Sequence, residues 1–188
     1  MRNRIFIFLI LILSVSCSDK SKLTKAILKL KSKPMVLPCS KMVTSFVKDS
    51  NYMDFSLAEL KLIIYIDSTE CMSCKIKRLN NWNKILKLDS VYKGRMKFYF
   101  VFCPKRGQVK QTLRSIKLSN LSYPLFLDGN SEFIKDNPQI PRDMRLHTFL
   151  LGQDNNIILI GNPLGNKDIR KLFYREVKKR LDNNNKYE

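Results

Sequence analysis

Leu62-Ile63-Ile64-Tyr65-Ile66-Asp67-Ser68-Thr69-Glu70-Cys71-Met72-Ser73-Cys74 carries the strongest structural signal in this 188-residue chain. Five apolar or aromatic residues in a row, rich in β-branching and too few for a helix, predict a buried strand. Asp67 to Glu70 is polar and loop-like. After Cys74 the period changes: Ile76, Leu79, Trp82, Ile85 and Leu86 recur at three- and four-residue intervals, while Lys75, Lys77, Arg78, Asn81 and Lys84 fill the other face. Through Leu88 the stretch therefore predicts a strand, a short loop and an amphipathic helix that starts at a Cys-x-x-Cys. Free N–H groups and the positive dipole end at a helix start stabilise a thiolate, so Cys71 is expected as the nucleophile and Cys74 as the resolving thiol. Lys75 adds to that stabilisation and Glu70 opposes it.

Met96 to Phe102 is almost continuously apolar and aromatic, as in a strand buried on both faces of a parallel sheet. Strand, helix and strand make a crossover unit. Gln108–Leu118 predicts a second helical segment, Tyr123–Leu127 a third short strand closing in the Asp128-Gly129 turn, and Ser131–Asp136 a helical turn. His147–Leu151 and Ile157–Ile160, separated by Gly152-Gln153-Asp154-Asn155-Asn156, predict an antiparallel hairpin. Ile169, Leu172, Phe173, Val177 and Leu181 stripe a final helix starting near Lys167, with Asn166 as its N-cap. The Gly161–Asn166 loop has neither the spacing nor the lysine of a phosphate-binding loop. Upstream, Met42–Val47 has the content of a strand, and the domain is expected to begin near Pro34.

The length and the 44% hydrophobic, 27% charged composition fit one globular domain with a real core. Formal charge is +19, yet the lysines are spread along the chain and no recognised nucleic-acid module is present, so no nucleic-acid partner is expected.

Residues 1–16 read as an export signal, with Arg2 and Arg4 ahead of the apolar run Ile5–Leu13. Ser14-Val15-Ser16-Cys17 resembles a bacterial lipobox, which implies lipidation of Cys17 and a membrane anchor. The usual leucine three places before the cysteine is replaced by Ser14; the alternative is ordinary cleavage without lipid. Ser18 is not the aspartate that retains some lipoproteins in the inner membrane, which favours the outer membrane, facing the periplasm. Residues 17–33 then form a Lys- and Ser-rich tether, with helical potential over Leu23–Leu30, and 34–188 the domain. An exported location permits disulfides. Cys71 and Cys74 are the natural pair by spacing; Cys39 and Cys103 could pair, or Cys103 could be a buried structural cysteine.

The element order resembles the thioredoxin fold from about Lys61 to Leu181: a central mixed β-sheet flanked by helices, an α/β architecture, here with an N-terminal strand extension. Tyr123-Pro-Leu-Phe-Leu-Asp-Gly-Asn-Ser-Glu-Phe followed by Thr148-Phe-Leu-Leu-Gly-Gln-Asp-Asn-Asn-Ile-Ile is similar to the second half of exported redoxins of the TlpA/ResA type. With the leader, the whole resembles the thioredoxin-like lipoproteins of Bacteroidetes. The resemblance implies thiol-disulfide exchange with protein thiols and disulfides, an upstream redox partner, and no cofactor beyond the redox-active Cys71–Cys74 disulfide. It also implies a site walled by Glu70, Met72, Ser73, His147 and Thr148. The family's cis-proline position is His147, the one histidine of the chain. An imidazole there could stabilise the Cys71 thiolate, shuttle a proton, or complete a Cys71, Cys74, His147 set for Cu(I) or Zn(II). Three readings follow: a membrane-tethered thiol-disulfide oxidoreductase, favoured as a reductant; a metal-binding protein; and a redox-inactive binding module on the same fold.

Overall fold

The computed structural model describes residues 19–37, 42–45, 58–119, 121 and 123–182. The leader, Cys17 and Cys39 lie outside the described residues. Six strands form one mixed sheet: β1 (Val43–Ser45), β2 (Leu60–Ile66), β3 (Met96–Phe102), β4 (Leu125–Leu127), β5 (Thr148–Leu151) and β6 (Ile157–Ile160), in the order β1-β4-β3-β2-β5-β6. β2 pairs with β3 in parallel over all seven residues, and β3 pairs with β4 in parallel. β5 runs antiparallel to β2 and β6 antiparallel to β5, so the expected hairpin is formed. β1 adds antiparallel to β4 as the N-terminal extension. This is the thioredoxin fold that the element order predicts.

Helices cover both faces. A helix over 19–30 (α1) is followed by α2 (Met72–Lys77), a 3-10 turn (Leu79–Trp82), α3 (Asn83–Val91), α4 (Val109–Lys117), α5 (Glu132–Asp136) and α6 (Lys167–Leu181). Alternate residues of β2 feed opposite cores. Leu60, Leu62, Ile64 and Ile66 pack with Trp82, Ile116 and Phe173, whereas Ile63 and Tyr65 pack with Leu30, Met35 and Phe133. The tether reading stops short of the structure at α1, which starts earlier than Leu23 and ends in a fully buried Leu30. Asn166 caps α6 as expected, accepting from the N–H groups of Asp168 and Ile169 at 2.8 and 3.1 Å.

The single helix expected from Cys71 to Leu88 is instead three pieces, and the sequence spacing explains why. Ile76, Leu79, Trp82 and Ile85 stand three apart and all are buried. At about 100° per residue, an unbroken α-helix would turn Ile85 about half a revolution away from Ile76. A 3-10 turn advances about 120° per residue and brings positions three apart onto one line. The break at Leu79–Trp82 therefore keeps Ile76, Leu79, Trp82 and Ile85 all on the sheet.

Asn137, fully buried, fixes the chain that enters the domain. Its Oδ1 accepts from Val36 N at 2.8 Å, and its Nδ2 donates to Val36 O and Phe133 O at 2.8 Å each. Asn137→Ala is expected to leave the N–H and C=O of Val36 without these partners and to cost about 2 kcal/mol. Urea denaturation would measure this, with faster amide exchange at Val36.

Candidate functional site

β2 ends at Ile66, and the next four residues turn back through their own hydrogen bonds. Asp67 Oδ1 accepts from Thr69 N at 2.7 Å, and Asp67 O accepts from Glu70 N at 3.0 Å. That turn delivers Cys71 to the N-cap of α2, where its Sγ accepts from Cys74 N–H at 3.4 Å. Cys71 and Cys74 are joined as a disulfide with Cα atoms 5.3 Å apart, and both residues are exposed at the carboxyl edge of the sheet. Ser73 is exposed with its hydroxyl 3.6 Å from Cys71 Sγ, and Met72 is half-buried against the α2-side core.

Glu70 departs from its expected role. Its side chain is 3% exposed and turned inward, with Oε2 2.6 Å from Lys75 Nζ and Oε1 3.4 Å from His147 Nδ1. Oε1 also accepts from Asp67 N at 3.1 Å. Lys75, expected to favour the thiolate, is thus held by Glu70, and the Glu70 charge opposing the thiolate is met by two cations. The sequence does not mark this cluster: Glu70 and His147 stand 77 residues apart.

The partners of His147 set its protonation. Nε2 lies 2.8 Å from Pro141 O, which can only accept, so Nε2 carries a proton. Nδ1 faces the Glu70 carboxylate, an acceptor, so it donates there only when the ring is protonated on both nitrogens, and this contact favours the imidazolium. Burial pulls the His147 pKa down, but the Glu70 hydrogen bond and the Pro141 carbonyl outweigh it, and the net direction is up from 6.5. Burial pushes the Glu70 carboxyl up, but His147, Lys75 and the Asp67 N–H outweigh that, and the net direction is down from 4.5.

The expected Cys71–Cys74–His147 metal set is not assembled. Both imidazole nitrogens are engaged by Glu70 and Pro141, the two sulfurs are bonded to each other, and among the described residues no cluster of three His, Cys, Asp or Glu has metal-binding spacing. His147 and Thr148 also do not face the disulfide across one cavity. They line a cavity of about 490 Å³ with Glu70, Lys75 and Arg78. Cys71, Met72 and Ser73 line another of about 230 Å³ with Gln108, Gln111 and Thr112 of the α4 region, residues that sequence reasoning passed over. Glu70 is the wall between the two. Thr148, buried, is a sheet residue paired with Ile64.

Cys103 is a free, buried thiol with Sγ 3.1 Å from Ser131 Oγ, and Cys39, the partner considered for it, lies outside the described residues. Burial pushes its pKa up, which suits a structural cysteine and not an exchange thiol.

No protein-family model and no curated protein matches the chain. Among solved structures, the chain is similar to a putative protein disulfide isomerase from Bacteroides thetaiotaomicron, with 15% identity and a TM-score of 0.48 over 68% of this chain and 77% of that one. It is similar to a putative thiol:disulfide interchange protein DsbE from Chlorobium tepidum, with 8% identity and a TM-score of 0.47 over 66% and 82%. It is also similar to the bacterioferritin comigratory protein of Xanthomonas campestris, with 15% identity and a TM-score of 0.49 over 78% and 98%. At these identities no site residue is carried over from them.

The Glu70–His147 pair gives stability a pH signature. The raised His147 pKa contributes stability that is complete below 6.5 and lost as pH rises through the raised value. The lowered Glu70 pKa contributes stability that is complete above 4.5 and lost as pH falls through the lowered value. Both are complete between 4.5 and 6.5. In an NMR titration the His147 ring is expected to have its midpoint above 6.5, and Glu70→Gln to bring that midpoint down.

Proposed function

We propose that this protein is an exported thiol-disulfide oxidoreductase, held at a membrane by lipid on Cys17 and working through Cys71 and Cys74. The observation that carries the reading is the exposed Cys71–Cys74 disulfide at the carboxyl end of the central strand, where a partner's sulfur can approach in line. The resemblance to redoxins of the TlpA/ResA type favours the reductant direction.

In that direction the reduced protein begins the cycle. The Cys71 thiolate attacks one sulfur of a partner disulfide; a mixed disulfide forms and the partner's other sulfur leaves as a thiolate. Cys74, deprotonated, attacks Cys71 Sγ, restoring the Cys71–Cys74 disulfide and releasing the second partner sulfur. Two electrons pass to the partner, and an upstream dithiol donor must return them. The Cys74 N–H directed at Cys71 Sγ supports the thiolate. The cations on Glu70 relieve the repulsion that a bare carboxylate beside Cys71 would add.

The membrane part rests on the leader: the charge and apolar run of residues 1–16, and the lipobox-like residues before Cys17. Ser18 favours the outer membrane, with the domain facing the periplasm.

Cys71→Ser is expected to abolish disulfide reduction in an insulin turbidity assay, and Cys74→Ser to accumulate a dithiothreitol-sensitive mixed disulfide on a non-reducing gel. Full turnover in Cys71→Ser would overturn the reading. For the anchor, Cys17→Ala is expected to eliminate incorporation of labelled fatty acid and to release the protein from the membrane fraction.

A further inference from the structure

The cavity beside Cys71 does not end at α2. It shares Ser73, Ile76 and Ser115 with a second cavity of about 310 Å³ that runs between α2 and α4 to Leu118. The two make one groove leading away from the disulfide, with buried Ile76 in its floor and Leu118, 86% exposed, at its far end. The exposed charges that line it are both positive, Lys77 of α2 and Lys105 before α4, and neither helix contains an aspartate or glutamate. From Cys71 to Ser119 the sequence has thirteen basic residues and one acidic one, Asp89. Asp89 is 8% exposed and taken up by Tyr123 and Lys97. The one carboxylate in the lining, Glu70, has its side chain buried and paired as well.

We propose that the α2–α4 groove docks the substrate: an acidic, cysteine-bearing protein segment, with carboxylates on Lys77 and Lys105 and an apolar residue against Ile76 and Leu118. This names the substrate class of the thiol-disulfide exchange proposed above and rests on that reading. Continuity with the disulfide places the partner's cysteine at Cys71 while its flanking residues lie in the groove. One-signed walls on a concave surface raise the local concentration of an oppositely charged partner and its association rate.

The test is single-turnover reduction, by the dithiothreitol-reduced and desalted protein, of disulfide-linked peptide homodimers. These have one cysteine each and are identical except that the flanking residues are glutamate, glutamine or lysine. At low salt the glutamate peptide is expected to react at least about tenfold faster than the lysine peptide, with the ratio collapsing as salt rises. The double variant K77E/K105E is expected to remove or invert the preference. The charge-matched variant K178E/K179E, on α6, is expected to keep it.

Equal rates for the three peptides would overturn the proposal while leaving exchange itself intact, and so would a preference lost equally in both variants, which would reflect net charge alone. Binding of phosphatidylglycerol vesicles that K77E/K105E abolishes, with peptide rates unaffected by their charge, would reassign the face to a lipid surface and overturn it too. Failure with every peptide, the glutamine one included, would sink the exchange reading beneath it.

Discussion

β2 has no side open to water. All seven residues from Leu60 to Ile66 are buried, its two edges are taken by β3 and β5, and its two faces feed separate cores. A strand held this way lets polar chain emerge only at its ends, since an unpaired backbone group inside would carry the full desolvation cost. The chain turns polar at Asp67, whose side chain takes the Thr69 N–H and whose main-chain carbonyl takes the Glu70 N–H. Cys71 and Cys74 therefore come to the sheet's carboxyl edge because the strand behind them can go nowhere else. The opposite end answers to the same constraint. Lys61 is 3% exposed, and its ammonium reaches out of the core to Gln153 O at 3.0 Å and Asn155 Oδ1 at 2.9 Å in the hairpin turn.

How much of this was legible in the sequence depends on whether a feature is written in local period or in distant contact. The apolar runs at Leu62–Ile66 and Met96–Phe102, the hairpin around Gly152–Asn156, and the α6 stripe with its Asn166 cap could all be read, since each is a statement about neighbours in the chain. The 3-10 break was written there too, in the three-residue spacing of Ile76, Leu79, Trp82 and Ile85, though at a glance that spacing also suits an α-helix. The Glu70–Lys75–His147 cluster was not legible. No local pattern says that Glu70 turns inward, because the reason lies in an imidazole 77 residues away and in the Pro141 carbonyl that orients it. The alternative metal set was no more legible: the residue types suit it, but both imidazole nitrogens have other partners, in Glu70 and Pro141.

His147 stands where redoxins of this type, by resemblance, carry a proline. A proline there offers no donor, so any coupling between that loop and the cysteine loop would have to come from packing alone. Here the coupling is an ion pair and a hydrogen bond between buried side chains, both 3% exposed. Removing one member of such a pair normally leaves an unmatched buried charge and costs more than the pair contributes. This arrangement has two ways around that cost. The imidazolium can lose its proton, and the carboxylate keeps Lys75, whose side chain is 48% exposed and whose desolvation is correspondingly small. When His147 turns neutral, Nε2 can keep its bond to Pro141, and only the Nδ1 contact to Glu70 is lost. The turn before Cys71 then still holds through Asp67 N–H, Thr69 N–H and Lys75. The cysteine loop is thus tied to two partners, His147 and Lys75. The contact to the 141–147 segment yields as pH rises through the raised His147 value, while the geometry that presents Cys71 persists.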